Sequence, residues 1–72
     1  MRMLRQVVES QIIHSVGYDA ASMLLEVQFR NGWVYRYDNV PENVFRGLMS
    51  APSHGKYLKR NIVDDYVTRR IR

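Results

Sequence analysis

The amino-acid sequence predicts an α+β domain, in which a three-stranded antiparallel β-meander is followed by two short helices packed on one face. Two runs of alternating apolar residues meet at Asn31-Gly32, a dipeptide typical of tight β-hairpins. After Pro41 the apolar period changes from that of a strand to that of a helix, and Pro52 separates two such segments. The 72 residues suffice for a single domain, residues 1–72, with a thin core.

The first two strands are predicted from alternation. Residues 11–18 (QIIHSVGY) form one run, and Gly17 within it is a candidate for a β-bulge or a close backbone approach. One face of this run carries Ile12, His14, Val16 and Tyr18. Residues 23–30 (MLLEVQFR) form the clearest strand, in which Leu25, Val27 and Phe29 alternate with polar side chains. Residues 1–9 show no period and are predicted to be a loose lead-in, extended at Val7-Val8.

The third strand, residues 33–38, places Trp33, Tyr35 and Tyr37 on one face. Its register against the second strand admits two solutions. A two-residue Asn31-Gly32 loop pairs Phe29 with Val34 and turns both tyrosines away from the apolar face of the second strand. The three aromatic side chains would then be free to meet a partner.

A three-residue loop, Arg30-Asn31-Gly32, gives the other register. It pairs Phe29 with Trp33 and sets Glu26 opposite Arg36, while Tyr35 and Tyr37 join the apolar face. We favour this register, because opposite charges across a strand pair are stabilising. A one-residue shift moves every side chain to the other face, so the register decides whether these aromatic residues belong to the core or to a surface.

Two amphipathic helices are predicted next. Pro41 suits the first position of the first helix, whose apolar stripe is Val44, Phe45, Leu48 and Met49. Ser53 can cap the second helix through its hydroxyl. The inner stripe of that helix is Tyr57, Leu58, Asn61 and Ile62, and its outer face carries Lys56, Lys59 and Arg60. The tail from Asp64 onward is rich in β-formers and predicts a short C-terminal strand.

The net charge of +4 is confined to one half of the chain. Residues 1–38 hold four basic and four acidic side chains, which sum to zero, and residues 39–72 hold seven basic and three acidic ones, which sum to +4. A basic half can attract phosphate polyanions, although a solvated face that aids solubility is an equally good interpretation. The sequence has no cysteine, no signal-peptide pattern and no apolar run long enough to span a membrane, so we expect a cytoplasmic protein.

Several short segments resemble the KTSC domain family. They are SVGYD at 15–19, LEVQF at 25–29, Tyr35-x-Tyr37, Val40-Pro41 and Ala51-x-Ser53-x-Gly55-x-Tyr57. The resemblance runs from about Val8 to about Tyr66. The family is named after the C-terminal region of some lysyl-tRNA synthetases, and it also occurs as small single-domain bacterial and phage proteins. The resemblance implies a KTSC-like domain with its core at about 8–66, and RNA binding has been suggested for the family.

The functional hypothesis from the sequence is a non-enzymatic module that binds RNA or another polyanion. Aromatic side chains stack on unpaired bases and basic side chains follow the phosphate backbone. The predicted binding residues are Lys56, Lys59, Arg60, Arg36, Tyr35, Tyr37 and His54. Ser53-His54-Gly55-Lys56 opens a helix, where backbone N–H groups can hold a phosphate. The simpler interpretation of that segment is a plain cap with a solvated His54.

The main alternative is a module for protein interaction or homodimerisation through an edge of the sheet. We expect no cofactor. A metal site is not expected either, because His14 and His54 lack ligand spacing and acidic neighbours. No nucleophile motif surrounds Ser15, so an enzyme is not expected.

Overall fold

The computed structural model describes residues 5–72, which form one antiparallel sheet and two helices. The strands are β1 (Arg5–Val7), β2 (Ile13–Asp19), β3 (Leu24–Phe29), β4 (Val34–Tyr37) and β5 (Thr68–Arg70), and the helices are α1 (Glu42–Ser50) and α2 (His54–Asn61). The strand order in the sheet is β1-β2-β3-β4-β5. The predicted α+β class, with a meander followed by two helices and a short C-terminal strand, is confirmed.

The sheet has one strand that the sequence did not predict. Residues 5–7 of the predicted loose lead-in form β1 at the edge of the sheet, where Gln6 pairs with Val16. Three residues are too few to show a hydrophobic period, which explains why this strand gave no signal. Residues 1–4 of the lead-in lie outside the described part of the chain.

The turn between β3 and β4 has the three-residue register. The Phe29 amide donates to the Trp33 carbonyl at 2.8 Å, and the Gly32 amide donates to the Phe29 carbonyl at 2.9 Å. Gly32 has a φ of +93°, a conformation that glycine adopts without steric cost. Glu26 therefore pairs with Arg36, and the two tyrosines of β4 lie opposite Leu25 and Val27. The favoured register is confirmed.

A β-bulge changes the predicted face of β2. The register shifts between Ile13 and Ser15, so the extra residue lies at His14 and not at Gly17. The bulge brings Ile13 onto the same side as Val16, and both side chains are fully buried. Ile12, which alternation had placed beside Val16, is instead 58% exposed. The predicted face of Ile12, His14, Val16 and Tyr18 was therefore wrong at its first two positions.

The first helix covers the sheet with the predicted apolar stripe. Leu48 is fully buried, and Val44, Phe45 and Met49 pack partly buried against the core. Pro41 has an extended backbone with ψ 153° and occupies the N-cap position, whereas the sequence placed it in the first helical turn. Tyr18 stacks on Phe45 with ring centroids 4.6 Å apart, which fixes the helix on β2.

The second helix begins at the predicted cap. The Ser53 hydroxyl accepts a hydrogen bond from the Lys56 amide at 3.3 Å. Leu58 and Ile62 are buried in the core with Val16, Leu25 and Val27 of the sheet. Asn61 was wrongly assigned to the inner stripe.

Asn61 is exposed because the buried stripe of α2 is centred on Leu58 and Ile62. Its side-chain amide donates to the Tyr57 carbonyl of its own helix at 3.2 Å. Tyr57 itself crosses to α1, where its hydroxyl lies against Gly47 at the place that a Cβ would occupy. A glycine at this position lets the two helices approach closely.

The face of the sheet away from the helices carries a row of charges. Strand pairing aligns Arg5, Gly17, Glu26, Arg36 and Arg69 across all five strands. The carboxylate of Glu26 is buried and accepts from Arg5 at 2.6 Å and from Arg36 at 3.0 Å. Gly17 lies between Arg5 and Glu26 in this row and has no side chain to separate them.

We expect Glu26→Ala to lower the free energy of unfolding by about 1–3 kcal/mol, because it leaves two partly buried guanidinium groups without their carboxylate. Urea denaturation monitored by circular dichroism measures this. Glu42→Ala is the matched control, since it removes only the exposed pair with Arg46 and should cost about 0.5 kcal/mol or less. Equal losses in the two variants would contradict the assigned role of Glu26.

Candidate nucleic-acid interface

The predicted binding residues lie on opposite faces of the sheet. Tyr35 and Tyr37 share the face that the helices cover, whereas Arg36 between them points to the other face and pairs with Glu26. Alternation along a strand requires this separation. A ligand that contacts the tyrosines on the helix side therefore does not meet Arg36, although all three residues were predicted to bind nucleic acid.

Tyr37 belongs to the core. Its side chain is only 2% exposed and packs in the main apolar cluster. Burial raises its pKa to about 12, with a smaller contribution from the neighbouring Tyr35. The charged phenolate is disfavoured because it would have to leave water. Of the two tyrosines, only Tyr35 keeps a partly exposed ring, and that ring meets Phe29 edge to face at 5.6 Å.

The outer face of α2 has the predicted basic residues, and Lys56, Lys59 and Arg60 are all exposed. His54 is half-buried, and its Nδ1 donates to the Leu48 carbonyl at 2.8 Å. The cap of the simpler interpretation is therefore present, while His54 is half-buried and not fully solvated. The Lys56 amide at the start of α2 donates to the Ser53 hydroxyl, so this N–H group already has a partner within the chain.

A groove that the sequence did not predict lies on the helix side of the sheet. We call it the aromatic groove; it has a volume of about 480 Å³, and its lining residues are Gln11, Ile12, Phe29, Arg30, Asn31, Trp33, Tyr35, Tyr37 and Val63. Trp33 is 43% exposed, and the walls formed by Ile12 and Val63 are 58% and 40% exposed. The Trp33-x-Tyr35-x-Tyr37 spacing is the sequence signal for one wall. The other wall is formed by Ile12 and Val63, which are far apart in the sequence, so no sequence pattern predicted it.

The groove is positively charged at its rim. Arg30 donates from Nε to the Ser10 carbonyl at 3.0 Å and from Nη2 to the Val8 carbonyl at 3.1 Å. The guanidinium of Arg70 lies 3.9 Å from the centroid of the Trp33 ring. Within residues 5–72, neither guanidinium forms a salt bridge with an Asp or Glu side chain.

Metal sites and membrane-spanning helices can be considered for the described residues. No group of three or more His, Asp or Glu side chains among residues 5–72 could hold a metal ion. In the same range, neither helix is long and apolar enough to cross a membrane.

We expect the stability of the protein to fall between pH 10 and pH 12 because of Tyr37. In the unfolded chain the phenol loses its proton near its ordinary pKa of 10.0, whereas the folded protein retains it to about 12. The folded state then binds more protons, so unfolding is favoured as the pH rises, by about 2–3 kcal/mol in total. Denaturation curves of wild type and Tyr37→Phe from pH 9 to 12 measure this. Parallel curves for the two proteins would refute the assignment.

Comparison with known proteins identifies the family. The KTSC domain family matches residues 9–66. The chain is 38% identical over 58 residues to an uncharacterized protein of Stutzerimonas stutzeri, covering 81% of this chain and 82% of that one. It is 33% identical over 54 residues to a lysine–tRNA ligase of Nostoc punctiforme, covering 75% of this chain but 10% of the ligase.

A solved structure shares the whole fold. The crystal structure of a KTSC domain protein from Yersinia pestis has a TM-score of 0.95 and 39% sequence identity, and the match covers 99% of this chain and 100% of that one. The segments singled out in the sequence also have clear positions in the fold, since Ser53 caps α2, Tyr57 packs on Gly47 and Tyr37 is in the core. The chain belongs to the KTSC domain family.

Proposed function

We propose that this protein is a small non-enzymatic module that binds single-stranded RNA or another phosphate polyanion through the helix side of the sheet. The observation that carries the proposal is the distribution of charge pairing. Within residues 5–72, the arginines that form salt bridges are Arg5, Arg36, Arg46 and Arg69. The basic side chains of α2 and of the aromatic groove have no such partner in this range.

These unpaired basic residues line neighbouring surfaces. Ile12 forms one wall of the aromatic groove and also reaches α2, where its Cδ1 lies 3.3 Å from the position of a Cβ on Gly55. A shallow depression continues from there to the start of the helix; Ile12, Ser53 and Lys56 line it, together with one acidic side chain, Glu9. A flexible strand could therefore follow a continuous path from Trp33 past Ile12 to Lys56, with cations at both ends.

Two further observations favour RNA among polyanions. Aromatic rings beside unpaired cations suit a ligand that has both bases and phosphates. In addition, one relative is a lysine–tRNA ligase, in which the matching segment is a tenth of the length. The lack of cysteine suits a reducing compartment, so a cytoplasmic location stays part of the proposal.

Replacing Lys56, Lys59 and Arg60 together with glutamate should abolish binding of single-stranded RNA and leave the fold intact, because all three side chains are exposed. For single strands, each phosphate contact contributes about −0.7 to the slope of log K against log salt. In the wild-type protein, three such contacts should therefore contribute about −2 to the slope, as measured by fluorescence anisotropy with labelled RNA. Unchanged affinity in the triple variant would overturn the assignment of α2.

A charge-matched control separates a local patch from net charge. Lys56→Glu with Lys59→Glu and Arg46→Glu with Arg69→Glu each reverse two cations, so both lower the net charge from +4 by four units to 0. Arg46 and Arg69 already pair with Glu42 and Asp38. The first pair of substitutions should weaken binding much more than the second, and equal effects would indicate attraction by net charge alone.

The second candidate function is homodimerisation through the β5 edge of the sheet. Val67 and Ile71 flank this edge strand and are 66% and 45% exposed, which is unusual for apolar residues beside an open edge. If the edge is an interface, light scattering after size exclusion should detect a dimer that persists in high salt, and Val67→Asp with Ile71→Asp should make it monomeric. A monomer at all concentrations would exclude this candidate.

A further inference from the structure

We propose that the aromatic groove is a base-binding subsite, in which Trp33 stacks on one unpaired nucleobase and Arg70 and Arg30 meet the flanking phosphates. This inference rests on the proposed function, since it names where a base of the bound strand would lie. It assigns a role to Trp33, Arg70 and Arg30, which the outer face of α2 does not involve.

The position of Trp33 is held by the hairpin. Its carbonyl accepts from the Phe29 amide at 2.8 Å, and its amide donates to the Asn31 side-chain oxygen at 2.9 Å. The indole lies beside Tyr35, with ring centroids 6.4 Å apart, and Tyr35 is in turn braced by the edge of Phe29. The exposed ring therefore stands on a fixed backbone, so little conformational entropy is lost when a ligand stacks on it.

Arg70 shows that the indole face accepts a flat group. Its planar guanidinium lies over the Trp33 ring at 3.9 Å, a cation–π contact supplied by the edge strand β5. The Nε of Arg70 donates to the main-chain oxygen of Arg72 at 3.2 Å, and no Asp or Glu side chain within residues 5–72 forms a salt bridge with the group. A base that takes the place of the guanidinium over the ring leaves Arg70 free to pair with the adjoining phosphate.

The shape and charge of the groove suit a nucleotide. A volume of about 480 Å³ lies within the range of small-ligand sites, about 300–1,000 Å³. Ile12 and Val63 offer apolar contacts opposite the aromatic wall, and no acidic side chain lines the groove. Arg30 is held by neutral carbonyls only, so its charge remains available to an anion. A planar aromatic group that carries phosphate complements all three features.

Trp33 is the single tryptophan of the sequence, so its intrinsic fluorescence reports on the groove directly. The wild-type protein is titrated with short single-stranded oligoadenylate and, separately, with inorganic polyphosphate, which has the charges but no bases. Stacking predicts quenching of the Trp33 emission by oligoadenylate at saturation and no quenching by bound polyphosphate. Isothermal titration calorimetry measures the affinity for both ligands without using the fluorophore.

Substitutions then separate stacking from charge. Trp33→Leu should weaken oligoadenylate binding by about tenfold, the usual effect of losing one base–aromatic stack, and leave polyphosphate affinity unchanged. Trp33→Phe retains a ring and should keep most of the affinity. Val7→Ala is the control for loss of an exposed apolar side chain outside the groove, and it should change the affinity for neither ligand. Circular dichroism verifies that each variant is folded.

The outcomes distinguish the subsite from the broader function. Selective loss of oligoadenylate affinity in Trp33→Leu, together with quenching in the wild type, supports the subsite. If Trp33→Leu lowers the affinity for both ligands equally, and oligoadenylate does not quench the wild-type emission, the polyanion function stands and the subsite is refuted. If neither ligand binds the wild-type protein, the proposed function fails and the subsite fails with it.

Discussion

The structure depends on the three-residue turn Arg30-Asn31-Gly32. Gly32 adopts a positive φ that closes the turn on the Phe29 carbonyl, and this closure sets the register of β4 against β3. Because side chains alternate along a strand, the register sends Tyr35 and Tyr37 toward the helices and Arg36 toward Glu26. A turn shorter by one residue would exchange these faces, expose the tyrosines and direct Arg36 into the apolar layer.

The aromatic side chains of β4 and its turn serve both the core and the surface groove. A domain of this size has little apolar surface to bury, so its aromatic residues are needed in the core. Along this strand the aromatic side chains are buried to different extents. Tyr37 is in the core, Tyr35 is half-buried, and Trp33 at the turn is exposed. The same strand thus contributes to stability at one end and to a surface groove at the other. The basic residues of the described chain, 5–72, are divided in a similar way: those on the other sheet face form salt bridges, and those around the groove and on α2 do not.

Much of the fold could be predicted because the signals were local. The Asn31-Gly32 turn, the opposite charges of Glu26 and Arg36, and the Ser53 cap each involve residues close in sequence or in register, and the structure confirms all three. The predictions that failed lacked such a signal. The bulge at His14 altered the period of β2 without a glycine to mark it. Strand β1 was too short to show alternation, and Asn61 lay one position from a buried residue.

The same distinction between local and non-local features applies to the candidate site. The sequence alone determined the α+β order, the KTSC resemblance, the basic outer face of α2 and the alternation of the aromatic strand, because each is a property of neighbouring residues. Only the tertiary structure decided that Ile12, Trp33 and Val63 meet around one groove, with Arg70 over the Trp33 ring. These four residues come from separate segments of the chain. Their proximity follows from the packing of α2 and β5 against the sheet, and no short-range pattern encodes it.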